Sequence, residues 1–288
     1  YMLFAQGGGV YIAGKGTNTL ENCNIASNTS NAESTYSSPD PDIIFAHSDS
    51  GGLCINSGGT NTLTGCTIEK NISAATSAST DAHPSSGGVY IAGGGTNTFE
   101  NCSITNNKAY YVGGISISGG GKNTFLGTMN ITGNTATSGS INNASFSSVN
   151  PVILDDENGK TLSTDSQIYM MTDLTTTVGE PITFATKATE SMKGCFKPEN
   201  DEYEVILNGK DLQLKAADYD HLWYQADTLD NNTKKFFSGS DTEPLKSTGL
   251  TKLSDAVSIL KSKGTIHMLT SYEKSESESI DIGSKTIT

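Results

Sequence analysis

Four copies of one short pattern fill the first half of this chain and constrain its fold more than any other feature. Each copy begins with a Gly and reaches an Asn nine residues later; the pairs are Gly9 and Asn18, Gly52 and Asn61, Gly88 and Asn97, and Gly114 and Asn123. Each continues into a second apolar run at Cys23, Cys66, Cys102 and, after one inserted residue, Met129. A pattern repeated in this way predicts a stack of similar units, each contacting its neighbours.

Apolar and polar residues alternate within each copy, as in Val10 to Ile12 and Cys23 to Ile25. This alternation predicts short strands that are separated by Gly-rich and Asn-containing corners. The four opening Gly residues are 43, 36 and 26 residues apart, while the internal pattern stays constant. The extra residues are therefore predicted to leave the stack as insertions at one corner.

In-register stacking at about 4.8 Å per unit would align equivalent side chains into columns. Four columns are apolar and would form the core that a single unit cannot bury alone; they are Val10/Leu53/Val89/Ile115, Ile12/Ile55/Ile91/Ile117, Leu20/Leu63/Phe99/Phe125 and Ile25/Ile68/Ile104/Ile131. Two columns are Asn, and we interpret them as structural because Asn suits left-handed corners and can bond the Asn above it; they are Asn18/Asn61/Asn97/Asn123 and Asn28/Asn71/Asn107/Asn134.

Cysteines form one more column, at Cys23, Cys66 and Cys102. Each lies beside an inward Ile, so we expect buried thiols that pack as small hydrophobic groups. A metal site would need closely spaced Cys pairs, and the sequence has none. Cys54 shares a different, outward position with Tyr11, Tyr90 and Ser116.

These copies resemble the right-handed parallel β-helix repeats of the pectate-lyase-like superfamily. The likeness covers about residues 7–150 and rests on the Gly-Gly-x-x-Ile and Asn-Cys-x-Ile-x-x-Asn segments. The copies are most similar to the repeats of bacterial surface proteins and autotransporter passengers, including polymorphic outer-membrane proteins. The resemblance implies an all-β, right-handed parallel β-helix in a protein that is secreted or at the cell surface, with an outer membrane-associated parent. It is not specific for activity, since such repeats serve lyases, hydrolases, adhesins and fibres.

The pattern predicts three segments. Residues 1–150 would form a β-helix of about four coils, and residues 151–236 a small β-rich module with a hairpin turn at Asn208-Gly209. This module would either stand by itself or continue or cap the stack. In residues 237–288, the spacing of Leu253, Ala256, Val257 and Leu260 predicts an amphipathic helix that stops near Gly264, before a strand. This last segment resembles the capping helix and first strand of a second β-helix, which implies that the chain is a piece of a longer modular protein.

Composition excludes some functions. The 288 residues include 18 Lys, no Arg and 31 acidic residues, for a net charge of -13. Nucleic-acid binding is not expected, because it requires a basic surface. No apolar run approaches the roughly 18 residues of a membrane span. The resemblance adds that pectate lyases of this fold typically use an Arg as the catalytic base, which this chain lacks.

The insertions after the first two copies carry the candidate site residues. The first holds Asp40, Asp42, His47 and Asp49, and the second holds Asp81 and His83. Both leave the same corner one coil apart, so these side chains could meet on one rim. Asp40, Asp42, Asp49 and Asp81 could bind Ca²⁺, or carboxylates among them could act as an acid/base pair in glycoside cleavage. The alternative is that these acidic residues are simply solvated.

The sequence therefore favours a non-catalytic scaffold or adhesin that presents variable loops to a host or environmental glycan or protein. His47 and His83 on the rim, and the outward Tyr11 and Tyr90, are the candidate binding residues. The alternative is a carbohydrate-active enzyme, either a polysaccharide lyase or a glycoside hydrolase, or a carbohydrate-binding module that uses the acidic rim. The scaffold needs no cofactor, whereas the alternative admits Ca²⁺.

Overall fold

The computed structural model describes residues 2–34, 45–77, 82–138, 141–147, 149–172, 181–200, 203–216, 219–226, 234–238, 246–247, 253–258, 260–268 and 286–287. Its first compact unit comprises Tyr1–Thr175, Ile182–Asn200 and Val205–Leu214. The second comprises Thr176–Pro181, Asp201–Glu204 and Lys215–Thr288.

The repeated copies form successive coils of short strands, as their alternation predicts. Coil one contains β1 (Met2–Ala5), β2 (Val10–Gly14), β3 (Thr17–Glu21), β4 (Asn24–Ala26) and β5 (Thr29–Ser34). Coil two contains β6 (Phe45–Ser50), β7 (Leu53–Ser57), β8 (Thr60–Thr64), β9 (Thr67–Glu69) and β10 (Ile72–Ser77). Coil three contains β11 (Ala82–Ser86), β12 (Val89–Ile91), β13 (Thr96–Glu100), β14 (Ser103–Thr105) and β15 (Lys108–Ala109). Coil four contains β16 (Ile115–Ile117), β17 (Lys122–Leu126), β18 (Asn130–Thr132) and β19 (Thr135–Ala136).

All four predicted apolar columns are confirmed in register. Each strand pairs in parallel with its equivalent one coil away, so that Val10 faces Leu53, Leu53 faces Val89 and Val89 faces Ile115. The other three columns pair in the same way. Burial of one such large side chain stabilises the fold by about 1.5–3 kcal/mol. The core therefore lies between coils, and every coil depends on the next.

Both predicted Asn columns are hydrogen-bonded ladders. From Asn18 to Asn123, each Nδ2 donates to Oδ1 of the next Asn at 2.8–2.9 Å. In the second ladder, the backbone N–H and Nδ2 of Asn71 both donate to Oδ1 of Asn107, at 2.9 and 3.0 Å. Asn71 Nδ2 also donates to the carbonyl of Ile25 at 2.8 Å. These amides satisfy corner groups that burial would otherwise leave unpaired.

The parallel stack continues past Asn150, although the sequence pattern fades there. The strands after coil four begin just before that point with β20 (Ala144–Phe146). They continue with β21 (Val152–Ile153), β22 (Gln167–Thr172), β23 (Ile182–Thr186) and, after helix α1 (Glu190–Lys193), β24 (Phe196–Pro198). They extend the ladders of coil four in parallel. Rings of Phe146, Phe184 and Phe196 pack with centroids 5.2–6.4 Å apart in the core of these coils. The change of composition near residue 150 therefore does not end the stack.

The second Asn ladder ends on a carboxylate. Asn134 Nδ2 donates to Oδ1 of Asn143, and Asn143 Nδ2 donates to Oε1 of Glu199 at 2.9 Å. The backbone N–H groups of Asn142 and Asn143 also donate to the two oxygens of Glu199. Glu199 thus replaces the Asn of the preceding coils.

Strands β25 (Tyr203–Asn208) and β26 (Asp211–Ala216) form the predicted hairpin, whose turn contains Gly209 at a φ of 64°. β26 pairs antiparallel with β23. This antiparallel pair ends the run of parallel pairing in that sheet.

The second unit contains β27 (Tyr219–Ala226), β28 (Lys234–Ser238), β29 (Lys246–Ser247), helix α2 (Leu253–Ser258), β30 (Leu260–Met268) and β31 (Thr286–Ile287). The predicted helix is confirmed at Leu253, Ala256 and Val257, which are buried. Its predicted end at Gly264 is wrong, because Leu260 and Gly264 lie in β30. This strand pairs in parallel with β27, and that pairing outweighs the helical spacing.

The thiol column is buried as predicted, apart from its first member. Cys66 and Cys102 are 1% exposed, whereas Cys23 in coil one is partly exposed. Every cysteine is free. Burial raises the pKa of the Cys102 thiol to about 12 and also raises the pKa of Cys66.

We predict that Asn107→Ala lowers the free energy of unfolding by about 2–4 kcal/mol, because it leaves the donors of Asn71 without their acceptor and removes the donor to Ile68 and Asn134. The exposed Asn24 is the matched control, and Asn24→Ala should change it by less than about 0.5 kcal/mol. Urea denaturation followed by circular dichroism measures both. Equal losses of unfolding free energy in the two variants would mean that the hydrogen bonds of the ladder do not stabilise the fold.

Thiol burial also predicts a pH dependence. The folded-state pKa of Cys102 lies above that of the unfolded chain, so the unfolded chain loses its proton first as the pH rises. The free energy of unfolding should therefore fall between about pH 9 and 12, and Cys102→Ala should make that fall shallower. At pH 8, iodoacetamide should label native Cys23 well before Cys102, which mass spectrometry can follow. Equal labelling rates in the native protein would contradict the burial.

Candidate functional site

The described residues of the two long insertions form strands rather than the predicted loops. β5 and β10 pair in parallel through six residue pairs, from Thr29 with Ile72 to Ser34 with Ser77. β6 pairs with β1 on one side and β11 on the other. The insertions therefore lengthen two sheets of the stack.

Buried serines connect these two sheets. Ser48 Oγ on β6 lies 2.9 Å from Ser30 Oγ on β5, and Ser73 Oγ on β10 lies 2.8 Å from Ser48 Oγ. All three are at most 4% exposed. Small hydroxyl side chains let the sheets approach closely and still satisfy their polar groups. The insertion is thus a packed two-layer extension.

Its outer surface carries the candidate site, which we call the rim face: His47, Asp49 and Ser85. Ser48 and Ser50 are fully buried, and alternation puts His47 and Asp49 on the other side of β6, where His47 is partly exposed and Asp49 is largely buried. His47 Nε2 lies 2.8 Å from Asp49 Oδ1 and 3.4 Å from Ser85 Oγ on the next coil. The His47 side chain is 30% exposed and that of Asp49 11%. His47 and Asp49 of the first insertion therefore contact each other within one strand, and the predicted meeting of the acidic side chains of both insertions stays a prediction.

The register also aligns His47 with Phe4 of β1 and with His83 of β11. His83 therefore occupies the equivalent backbone position one coil away. Sequence reasoning missed Ser85, whose only signal was its spacing of two residues from His83.

The three rim-face side chains do not have the geometry of a proton relay. In a serine hydrolase, the carboxylate and the hydroxyl contact different ring nitrogens of the histidine. Here Asp49 and Ser85 both approach Nε2. This arrangement offers a carboxylate, an imidazole and a hydroxyl to a ligand, as binding groups.

The predicted Ca²⁺ site is only partly described. Asp40, Asp42 and Asp81 lie outside the described residues, so their meeting with Asp49 stays a prediction. Asp49 itself is paired with His47. Among the residues that the structure describes, no group of three or more His, Cys, Asp or Glu side chains could hold a metal ion.

The predicted aromatic stripe is in register but interrupted. Tyr11, Cys54, Tyr90 and Ser116 are aligned, and Tyr11 is 41% exposed. Cys54, expected to face outward, is fully buried instead. Burial and then the nearby Asp49 carboxylate raise the pKa of the Cys54 thiol to about 12. The chain near Asp49 lies close to this position, so Tyr11 and Tyr90 do not form a continuous platform.

A second surface feature was not anticipated. A groove of about 320 Å³ lies between coils two and three, with a mostly apolar lining. Its lining residues are Ile72, Ser73, Ala74, Ala75, Lys108, Ala109, Tyr110 and Thr137. The adjacent Tyr110 and Tyr111 were the available sequence signal.

The sequence model of the family described as "Right handed beta helix region" matches residues 3–167. This is more than half of the chain, and the chain belongs to that family. Membership agrees with the parallel stack and is consistent with a surface scaffold or a carbohydrate-active protein. No curated protein and no solved structure matches the chain significantly. Neither described helix is long and apolar enough to cross a membrane.

The rim face predicts a measurable coupling between His47 and Asp49. A double-mutant cycle of His47→Gln and Asp49→Asn should give a coupling free energy of about 1 kcal/mol, since the pair is only partly screened by solvent. The control cycle replaces Asp49→Asn by Glu21→Gln, which removes an exposed carboxylate on β3, and we expect a value near zero. Urea denaturation of the variants measures both cycles, and equal values would contradict a specific pair.

Proposed function

We propose that this chain is a non-catalytic β-helix scaffold that binds a partner through the rim face, as part of a secreted or cell-surface protein. The observation that carries the proposal is the His47, Asp49 and Ser85 cluster on strands held in register by their neighbours. His47 and Ser85 are partly exposed, whereas Asp49 is largely buried. Paired strands and the buried serines fix the backbone beneath these side chains. A surface that is already ordered loses little conformational entropy on binding.

A neutral glycan is the partner that suits this chemistry best. The carboxylate accepts hydrogen bonds from sugar hydroxyls, while imidazole and hydroxyl groups can donate or accept. The net charge of -13 disfavours an acidic polymer. A polar protein surface offers similar groups and is the second kind of partner consistent with the cluster.

The alternative is a carbohydrate-active enzyme or a carbohydrate-binding module that uses an acidic rim. Hydrolysis of glycosides requires two carboxyl groups about 5–9.5 Å apart. Asp49 supplies one at the rim face. A second would have to come from Asp40, Asp42 or Asp81, and a lyase would need a base other than Arg.

One experiment separates these functions. Wild-type protein is applied to an array of neutral and acidic glycans, and separately to polysaccharides with and without Ca²⁺, with released reducing ends as the readout. We expect glycan binding that weakens at least about tenfold in His47→Ala and Asp49→Ala and no release of reducing ends.

Glu21→Gln removes an exposed carboxylate on β3 and is the matched control, with binding unchanged. Reducing-end release that disappears in Asp49→Asn would establish the enzyme instead. Binding that survives both rim-face variants would place the partner elsewhere on the molecule. An array without any binding would exclude the glycan as the partner.

A further inference from the structure

We propose that an extended acidic peptide from a partner protein docks along β10 as an added strand, in the groove beside Tyr110 and Lys108. This site lies on a different sheet from the rim face and takes a different class of ligand, so it does not depend on the function proposed above. Three features of the described part of the chain support this site: a strand edge without a partner strand, an exposed aromatic side chain and a lysine without an ion pair.

The strand edge arises because neighbouring coils differ in length. β10 has six residues and pairs with β5 along all of them. On its other side β15 has only two residues, and the two strands share the single pair of Ile72 with Lys108. The rest of β10 therefore has no partner strand on the side of coil three among the described residues.

The direction of the backbone N–H and C=O groups of β10 shows which of them could bind an added strand. The N–H of Lys108 donates to the carbonyl of Asn71 at 2.8 Å, so Asn71 points toward coil three. Successive residues of a parallel strand direct their hydrogen-bonding groups alternately to the two neighbours. Ala75 and Ser77 therefore point their N–H and C=O groups toward coil three, beyond the end of β15. Such an edge is a template for another strand.

The groove next to this edge suits apolar side chains of an added strand. Ile72 is 41% exposed and Tyr110 is 44% exposed, and both line the groove. The Tyr110 ring packs edge-on against Tyr111 with centroids 4.8 Å apart, which restricts its orientation. Exposed aromatic groups of this kind commonly anchor bound peptides.

Charge selects the kind of peptide. Lys108 lines the groove, is exposed and forms no ion pair with any residue that the structure describes. It would attract a carboxylate of the ligand. A second copy of this chain is disfavoured, because two copies with a net charge of -13 each repel each other far more strongly than one copy repels a short peptide with a few carboxylates. A peptide with alternating apolar and acidic residues fits both the groove and Lys108.

The test uses a phage-displayed library of random linear dodecapeptides, panned on the wild-type chain. We expect enriched peptides that alternate β-branched or aromatic residues with Asp or Glu. The best peptide is then synthesised with a fluorescent label, and its affinity is measured by fluorescence anisotropy. Lys108→Glu and Tyr110→Ala should each weaken binding at least about tenfold.

Lys122→Glu and Tyr11→Ala are the matched controls, since they change exposed residues of the same types elsewhere on the stack. Both should leave the affinity unchanged, and circular dichroism shows whether each variant is folded. Methylating single backbone nitrogens of the peptide should abolish binding at every second position only, because alternate N–H groups would face β10.

Three results would overturn the proposal. They are a library without enrichment, peptides that bind Lys108→Glu and Tyr110→Ala as tightly as the wild type, and sensitivity to methylation without the two-residue period. Self-association that depends on Tyr110, measured by sedimentation, would assign the groove to a second copy. Binding of an oligosaccharide that Tyr110→Ala abolishes, without peptide binding, would assign it to a glycan.

Discussion

In-register parallel stacking is the constraint on which the rest of the first unit depends. A single coil is too thin to bury its own apolar side chains, so the core exists only between coils. The corners add a second requirement, since each turn brings backbone polar groups into the interior. Ladders of Asn satisfy these groups with the same geometry in every coil. Apolar columns and amide ladders therefore enforce one register together.

That register also builds the surfaces proposed to bind partners. The rim face exists because β6 and β11 continue the pairing of the stack, which brings Ser85 of one coil beside His47 of the previous one. The groove exists because strand pairing stops there: β15 ends at Ala109, while β10 runs on to Ser77. Both surfaces are set by differences between coils on an otherwise uniform frame.

Much of the fold could be predicted from the sequence, because the repeated residues are also those that pack. The column from Leu20 to Phe125 follows directly from spacing. The insertion strands could not, since Thr29–Ser34 and Phe45–Ser50 are rich in small polar residues. Pairing with neighbouring coils makes them strands. The coils after Asn150 were hidden because Glu199 replaces the Asn that marks earlier corners.

The candidate site was predictable only in part. The spacing of two residues between His47 and Asp49 puts both on one side of a strand, whatever the strand packs against. Cys54 follows the same alternation but is fully buried, and alternation alone does not show which outward positions the rest of the fold buries. The groove depends on strand lengths in two coils, which the repeat pattern does not fix.

The carboxylate of Glu199 gives the amide ladder a direction. Each Asn receives hydrogen bonds from the coil before it and donates to the coil after it, whereas an ionised carboxylate can only receive. Copies could therefore be inserted or deleted between Asn28 and Asn143 during evolution without altering either boundary of the ladder. The acidic side chain of Glu199 thus ends the ladder, and gene duplication upstream of it could change the number of coils in the stack.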